Sequence, residues 1–348
     1  MNPFVKMIMI ISLITGTLMA ITSSHWILAW IGLEINTFAI LPLMNQKYYP
    51  RTIEATTKYF IIQTAAATML LFSTILNAWL TGEWEIQQTS HPLILMLVTI
   101  ALMLKMGLAP LHAWFPEVMQ GLKFSTGLIL STLQKLAPFS LLLQLTVGMP
   151  ILMSIFGLLS ILIGGWGGMN QTQTRKILSY SSIAHFGWML LIIQYMPSLA
   201  FTAFMIYVIM TSTMFMMFWF NQSTTMNTLL TSWPKTPALL IIMPLILMSL
   251  GGLPPLTGFI PKWFILSELV KHNLVILSTT AALVSLMSFS FYLRMSYAMA
   301  HTSSPNFTFM TLPWHIETTY PLLPLAICIG LSIYILPLAS MILAMTPY

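Results

Sequence analysis

The chain has 348 residues, of which 57% are hydrophobic and only 6% charged, against roughly 25% charged in an ordinary soluble domain. A mean hydropathy of +0.87 excludes a soluble globular domain and marks an integral membrane protein. The net charge of +6 reads as membrane topology, with no nucleic-acid partner expected.

A membrane-crossing helix needs about 20 apolar residues. On that criterion about eleven spans are predicted, near 3–22, 25–44, 57–80, 93–113, 123–145, 150–169, 176–196, 198–220, 237–270, 274–299 and 322–346. In the first, Lys6 precedes an apolar run that continues to Ala20. That is too long for the core of a secretory signal, so it is read as a retained helix. The second span carries Glu34 inside HWILAWIGLEINTFAILPLM. The fourth carries Lys105 and is interrupted by Gly107, Pro110 and Pro116, with His112 inside the interruption. Lys135 lies in the fifth. The sixth contains Gly164, Gly165, Gly167 and Gly168, whose small-residue spacing permits close helix approach. His185 lies in the seventh. The ninth is broken by Gly251, Gly252, Pro254, Pro255, Gly258 and Pro261 and carries Lys262 directly after the break. The connections near 222–236 and 300–320 are too short for a nucleotide-binding βαβ unit, which takes some 30 residues.

The intramembrane charges are the informative residues. One lysine at the centre of a span costs about 2.5 to 3.5 kcal/mol on insertion scales, so charges kept there face a protein interior or a water cavity and handle ions or protons. A lysine in water titrates near 10.4, and taking a lysine out of water lowers this by up to about 3 to 5 units, which makes it a usable proton carrier. A nearby carboxylate favours the charged lysine, so pairing Glu34 with Lys105 makes a switch, and Lys135 and Lys262 continue the path. His112 and His185 are possible intermediates, since neutral imidazole exchanges protons near pH 7. The plainer alternative is that the lysines snorkel or fix helix contacts. Their positions within or beside breaks favour the relay. Glu54, Lys58, Arg175, Lys176, Glu268 and Lys271 read as solvated or interfacial charges.

Two groups of five spans, each with a broken fourth member, suggest inverted repeats at 1–148 and 149–300, followed by a loop and a last helix at 301–348. Inverted repeats with matching broken helices point to an ion site, because unwound backbone in a membrane is tolerated only where it lines a cavity. With eleven spans, Lys6, Lys47, Arg51, Lys58, Lys123, Arg175, Lys176 and Lys235 fall on one side and Lys271, Glu83 and Glu85 on the other. The N-terminus is then on the side of synthesis. One cysteine, Cys328, excludes an intrachain disulfide and an all-cysteine iron–sulfur site, and no metal cluster, nucleophile triad or phosphate loop is found. The 29 methionines and the absence of Asp fit either packing filler or synthesis under an organelle genetic code, and composition does not choose between them.

The strings HWILAWIGLEINTFAILPLM, LKMGLAPLHAWFPEV, GLILSTLQKLAP, TQTRKILSYSSIAHFGWM and LGGLPPLTGFIPKW resemble, across essentially the whole chain, the subunit 2 family of the proton-pumping NADH–ubiquinone oxidoreductase, respiratory complex I, in its animal mitochondrial form. This family is similar to the fourteen-helix antiporter-like subunits of bacteria, less three N-terminal helices. The resemblance implies an all-α polytopic membrane protein in the mitochondrial inner membrane, N-terminus in the matrix and C-terminus in the intermembrane space. It implies a proton channel with Glu34 and Lys105 as a coupled pair, Lys135 as central relay and Lys262 as the exit-side lysine. Flavin, iron–sulfur clusters, NADH and ubiquinone are then expected in partner subunits, with the lipid bilayer and other membrane-arm subunits as neighbours. A cation/proton antiporter subunit of the multisubunit bacterial type and a structural assembly subunit are the alternatives.

Overall fold

The computed structural model describes residues 3–45, 49–145, 149–232, 237–302 and 322–338. Lys47, Lys235 and the connection at 303–321 lie outside the described residues, as does the last span beyond residue 338. The helices in chain order are α1 (Pro3–Thr22), α2 (Trp26–Met44), α3 (Pro50–Thr81), α4 (Pro92–Met106), α5 (Trp114–Gly121), α6 (Phe124–Ser131), α7 (Leu133–Gln144), α8 (Pro150–Met169), α9 (Thr174–Ile192), α10 (Pro197–Asn221), α11 (Met226–Leu230), α12 (Pro237–Gly251), α13 (Phe259–Lys271), α14 (Val275–His301) and α15 (Leu322–Tyr334). No strand occurs among the described residues.

Local signals set the helix ends. Proline opens α3, α4 and α10, where a missing N–H costs nothing because the first amides have no intrahelical partner. Gly82 closes α3 in the left-handed region at φ 76°. The predicted spans coincide with these helices, with informative differences. The third begins seven residues earlier than predicted, at Pro50, because its first two turns carry the charges Arg51 and Glu54. At 32 residues it is about 48 Å long, more than the ~30 Å hydrocarbon thickness, so a charged extension projects beyond the apolar stretch. Among the described residues, seven helices are long and apolar enough to cross a membrane, counting α6 and α7 as one. The other four expected spans fall on α4, α12 with α13, and α15, which are short, and on α9, which begins with Arg175 and Lys176.

The chain divides into two compact units, 1–159 and 160–348. In the first, α1 and α2 meet backbone to backbone: a Cβ added to Gly32 would lie 2.9 Å from Gly16 O. A short two-residue bridge ties the segments before α2 and α4, with Trp26 N donating to Trp84 O at 3.1 Å and Ile86 N to Ser24 O at 2.9 Å. The second unit repeats both devices. A Cβ on Gly164 would meet Tyr180 O at 2.9 Å, Thr174 N donates to Thr224 O at 3.2 Å, and Met226 N to Thr172 O at 2.9 Å. Many buried hydroxyls are satisfied within their own helices, as in Thr99 to Met96 O (2.9 Å) and Ser181 to Leu178 O (2.7 Å), which lets threonine and serine sit in apolar helices.

Candidate functional site

In the first unit the site is organised by the end of α4. Gly107 takes φ 70°, its N–H bonds Leu104 O at 3.1 Å, and Leu108 N bonds Met103 O at 3.1 Å, which terminates the helix inside the protein. Side chains from other segments complete the cap: Gln63 Nε2 donates to Lys105 O at 3.3 Å, and Trp114 Nε1 adds a second donor to Leu104 O at 3.2 Å. Lys105 lies in the last turn of α4, where the partial negative charge of the helix C-terminus favours a cation. It is 6% exposed, and its Nζ has no hydrogen-bond partner among the described residues.

Lys105 and Lys135 line one cavity together with Thr37, Tyr59, Gln63, Phe115 and Gln134, with interior room for about one water molecule. Lys135 is 2% exposed and holds its Nζ 4.0 Å from the centroid of the Phe115 ring, within reach of the ring's negative face. It is carried there by the first turn of α7, which follows a one-residue interruption at Thr132 and continues through Pro138.

Glu34 is half-buried on α2 and does not itself line the cavity. Thr37, one turn further on, donates to its Oε2 at 3.0 Å and lies 2.8 Å from its backbone oxygen. No contact ion pair within 4.0 Å joins Glu34 to Lys105.

The second unit has its own cavity, lined by His185, Trp188, Tyr207, Pro261 and Lys262 among others. The His185 and Tyr207 rings lie 5.7 Å apart. Lys262, in the first turn of α13, reaches back across the break and donates to Gly251 O, the last residue of α12, at 2.7 Å. Gly252 stands at φ 84°, and a Cβ there would lie 2.9 Å from the Lys262 Nζ.

The structure thus brings Lys105 and Lys135 together, places Glu34 behind Thr37, and groups His185 with Lys262. His112 is set apart: it is partly exposed, with its Nδ1 3.2 Å from Pro110 O, and lines neither cavity. Sequence reasoning missed Thr37, Gln63 and Gln134, which a search for polar residues in otherwise apolar spans finds. Tyr59 and Phe115 carried no signal, because aromatic residues in such helices are ordinary packing. Arg294 was also missed; it donates to Gln171 O at 2.9 Å and so joins the end that holds Arg175 and Lys176. Ion pairs join Lys58 with Glu54 and Glu117, each at 2.7 Å, and Lys271 with Glu268. No group of three or more His, Cys, Asp or Glu placed to hold a metal ion occurs among the described residues.

The family described as NADH:quinone oxidoreductase/Mrp antiporter, TM, matches residues 23–289, and that described as NADH dehydrogenase subunit 2 C-terminus matches 290–343. NADH-ubiquinone oxidoreductase chain 2 of Tetraodon nigroviridis is 57% identical over 345 residues, 99% of each chain. The protein of the same name from Salmo salar is 56% identical over 340 residues, 97% of each. Among solved structures, a chain of respiratory complex I from Thermus thermophilus matches with a TM-score of 0.82 at 24% identity, covering 99% of this chain and 78% of that one. A chain of the Mrp complex from Dietzia sp. DQ12-45-1b matches with a TM-score of 0.73 at 16% identity, covering 82% of this chain and 59% of that one. These two likenesses establish the fold, an all-helical antiporter-like membrane fold. With the family match spanning most of the chain and relatives above half identity over its full length, the chain belongs to the NADH-ubiquinone oxidoreductase chain 2 family.

Proposed function

We propose that the chain is a core membrane-arm subunit of the proton-pumping NADH:ubiquinone oxidoreductase and supplies one of its proton paths. The observation that carries this reading is the cavity holding both Lys105 and Lys135, two lysines almost wholly withdrawn from solvent, beside a helix that ends inside the membrane region. Two buried amines in one cavity do not both keep a proton cheaply, because like charges in a poorly solvated space repel. A proton arriving at one displaces charge from the other. The Glu34 carboxylate decides how well Lys105 holds its proton, so a change in Glu34 moves the proton toward Lys135. In the second unit, Lys262 with His185 forms the exit-side group.

Flavin, iron–sulfur clusters, NADH and ubiquinone belong to partner subunits, and this chain carries protons while electrons move elsewhere. Its expected setting is the mitochondrial inner membrane with eleven spans, the N-terminus in the matrix and the C-terminus in the intermembrane space. The matching glycine contacts and two-residue bridges of the two units support reading residues 1–148 and 149–300 as inverted repeats. A cysteine introduced at position 173 is then labelled from the matrix side, and labelling from the intermembrane space overturns the orientation.

The decisive experiment compares Glu34→Gln, Lys105→Met and the double variant in the assembled enzyme, with NADH oxidation and proton translocation measured together. Residues that act as a unit are non-additive, so the double variant is expected to be little worse than either single one. Effects that multiply independently would withdraw the pair. Co-purification of the chain with a flavin and iron–sulfur enzyme tests the assembly.

A further inference from the structure

The Glu34 carboxylate does not line the cavity that holds Lys105 and Lys135, but Thr37 does, and Thr37 is hydrogen-bonded to that carboxylate. Building on the proton-path reading above, we infer that the Thr37 hydroxyl is the positioning and relay group through which Glu34 exchanges protons with the cavity lysines.

Three observations support it. First, the hydroxyl has two acceptors for one hydrogen, the Glu34 backbone oxygen at 2.8 Å and Glu34 Oε2 at 3.0 Å. Thr56 makes the same backbone bond, to Ile53 O at 2.8 Å, the ordinary way a helical threonine satisfies its hydroxyl. The carboxylate is the additional partner that makes Thr37 more than a satisfied side chain. With its hydrogen on the backbone oxygen, Thr37 leaves an oxygen lone pair free to accept from a protonated Glu34; with its hydrogen on Oε2, it steadies the carboxylate. A rotation about one bond converts the two arrangements. Second, Thr37 is itself buried, 6% exposed, so bulk water does not compete for its hydroxyl. Third, the cavity that Thr37 lines together with both lysines has room for about one water molecule, enough to connect a hydroxyl to an amine.

The transfer balances without any other reactant. A cavity water that has taken a proton from the Lys105 ammonium passes one to the Thr37 oxygen, and the Thr37 O–H bond breaks as its hydrogen forms a new O–H bond on Glu34 Oε2. The net change is a neutral Lys105 and a protonated Glu34, and the reverse sequence reloads the lysine.

The test is Thr37→Val, which keeps the shape and removes the hydroxyl, against Thr37→Ser, which keeps the hydroxyl, with Thr37→Ala as a second variant lacking it. All are measured in the assembled enzyme in proton-tight vesicles beside Glu34→Gln. Positioned proton-transfer groups contribute ~10²–10⁴-fold to the step they serve, and other steps share control of the flux, so proton translocation in Thr37→Val is expected to fall at least about tenfold. Thr37→Ser is expected to restore it. Should Thr37→Val or Thr37→Ala translocate protons normally while Glu34→Gln does not, the relay is overturned and Glu34 acts by its charge alone. Normal translocation in Glu34→Gln as well would remove the underlying reading of Glu34. Equal impairment in the Val and Ser variants would also overturn the relay, because the hydroxyl would not be the cause.

Discussion

Lys105 lies two residues before its capping glycine, Gly107, whereas Lys262 lies ten residues after its own, Gly252. The two breaks otherwise use one backbone device. Each glycine adopts a positive φ, 70° and 84°, and each is followed by a leucine whose N–H returns to a methionine carbonyl, Leu108 to Met103 and Leu253 to Met248. Counted from the glycines, Lys105 occupies the place of Leu250, and Lys262 the place of Glu117. Even so, both ammonium groups serve the C-terminal end of the first half-helix, Lys105 from within the last turn of α4 and Lys262 by donating to the last residue of α12. A helix ending inside the protein offers partial negative charge, which favours a cation on either side of the break, and unmet carbonyls, of which Lys262 meets one while Gln63 and Trp114 meet those of α4. The difference is in freedom. The Lys262 Nζ is tied to a carbonyl at 2.7 Å, while the Lys105 Nζ has no hydrogen-bond partner among the described residues. One lysine is latched, and in the proton-path proposal the other is the one available for exchange.

The largest effect that probes this contrast is expected at the end of the available lysine's cavity. Lys135→Met keeps a long side chain over Phe115 and removes the titratable group, so proton translocation should fall by about a hundredfold or more at the step it serves. Assembly should survive, because replacing a buried charge by an apolar residue of similar volume is often neutral or stabilising. An enzyme that fails to assemble with Lys135→Met would place the residue among structural charges. Activity and complex integrity on native gels separate the two outcomes.

At the latched lysine, two replacements act differently. Lys262→Arg keeps a donor for Gly251 O but holds its proton at every accessible pH, so proton release should stop while the break stays closed. Lys262→Met should stop release and also leave the Gly251 carbonyl unmet, at a cost of about 1 to 3 kcal/mol. The expected signature is equal loss of translocation in both variants with lower thermal stability only in the Met variant. Equal stability of the two would show that the bond to Gly251 is not a latch.

These contrasts mark what the sequence discloses. Glu34, Lys105, Lys135 and Lys262 are visible because a charge inside an apolar run is expensive, and the breaks are visible because glycine and proline interrupt helices locally. Which helix end Lys262 serves is not visible, since its partner lies eleven residues back and across a turn. His112 is visibly inside a break and His185 inside a span, but that one faces Pro110 O and the other shares a cavity with Lys262 is decided by packing. Thr37 is legible only once the cavity is known, because a threonine one turn after a glutamate is otherwise a routine helical residue.

A smaller effect is expected from the glycines. Alanine at either Gly107 or Gly252 pays about 1 to 2 kcal/mol for the left-handed backbone. The neighbours then differ: the new Cβ would lie 2.9 Å from Lys262 Nζ at Gly252, but 3.0 Å from the Phe115 Cβ at Gly107. Gly252→Ala should therefore loosen the latch directly, seen as faster amide hydrogen exchange at Gly252 and Leu253. Gly107→Ala should act on Lys135 through its aromatic support and reduce translocation only a few-fold, about what a weakened cation–π contact of ~1 kcal/mol allows. Identical exchange and flux in the two variants would erase the distinction between the breaks.

The smallest effect should come from Glu117, which stands at the register of Lys262 in the first unit. If the two breaks worked alike, this carboxylate would sit at a functional position and its loss would be felt in translocation. Its surroundings argue otherwise. Its side chain is 53% exposed, and it shares Lys58 with Glu54 at 2.7 Å on the charged extension of α3. Exposed ion pairs gain little, because water already solvates both charges and salt screens them. A neutral amide in its place leaves Lys58 with a second carboxylate of the same reach. Glu117→Gln is thus expected to leave proton translocation, NADH oxidation and complex stability at wild-type values in physiological salt. A loss as deep as that of Lys262→Met would show that charge beyond the break matters in both units, and the asymmetry between a latched and an available lysine would have to be replaced by a symmetric arrangement.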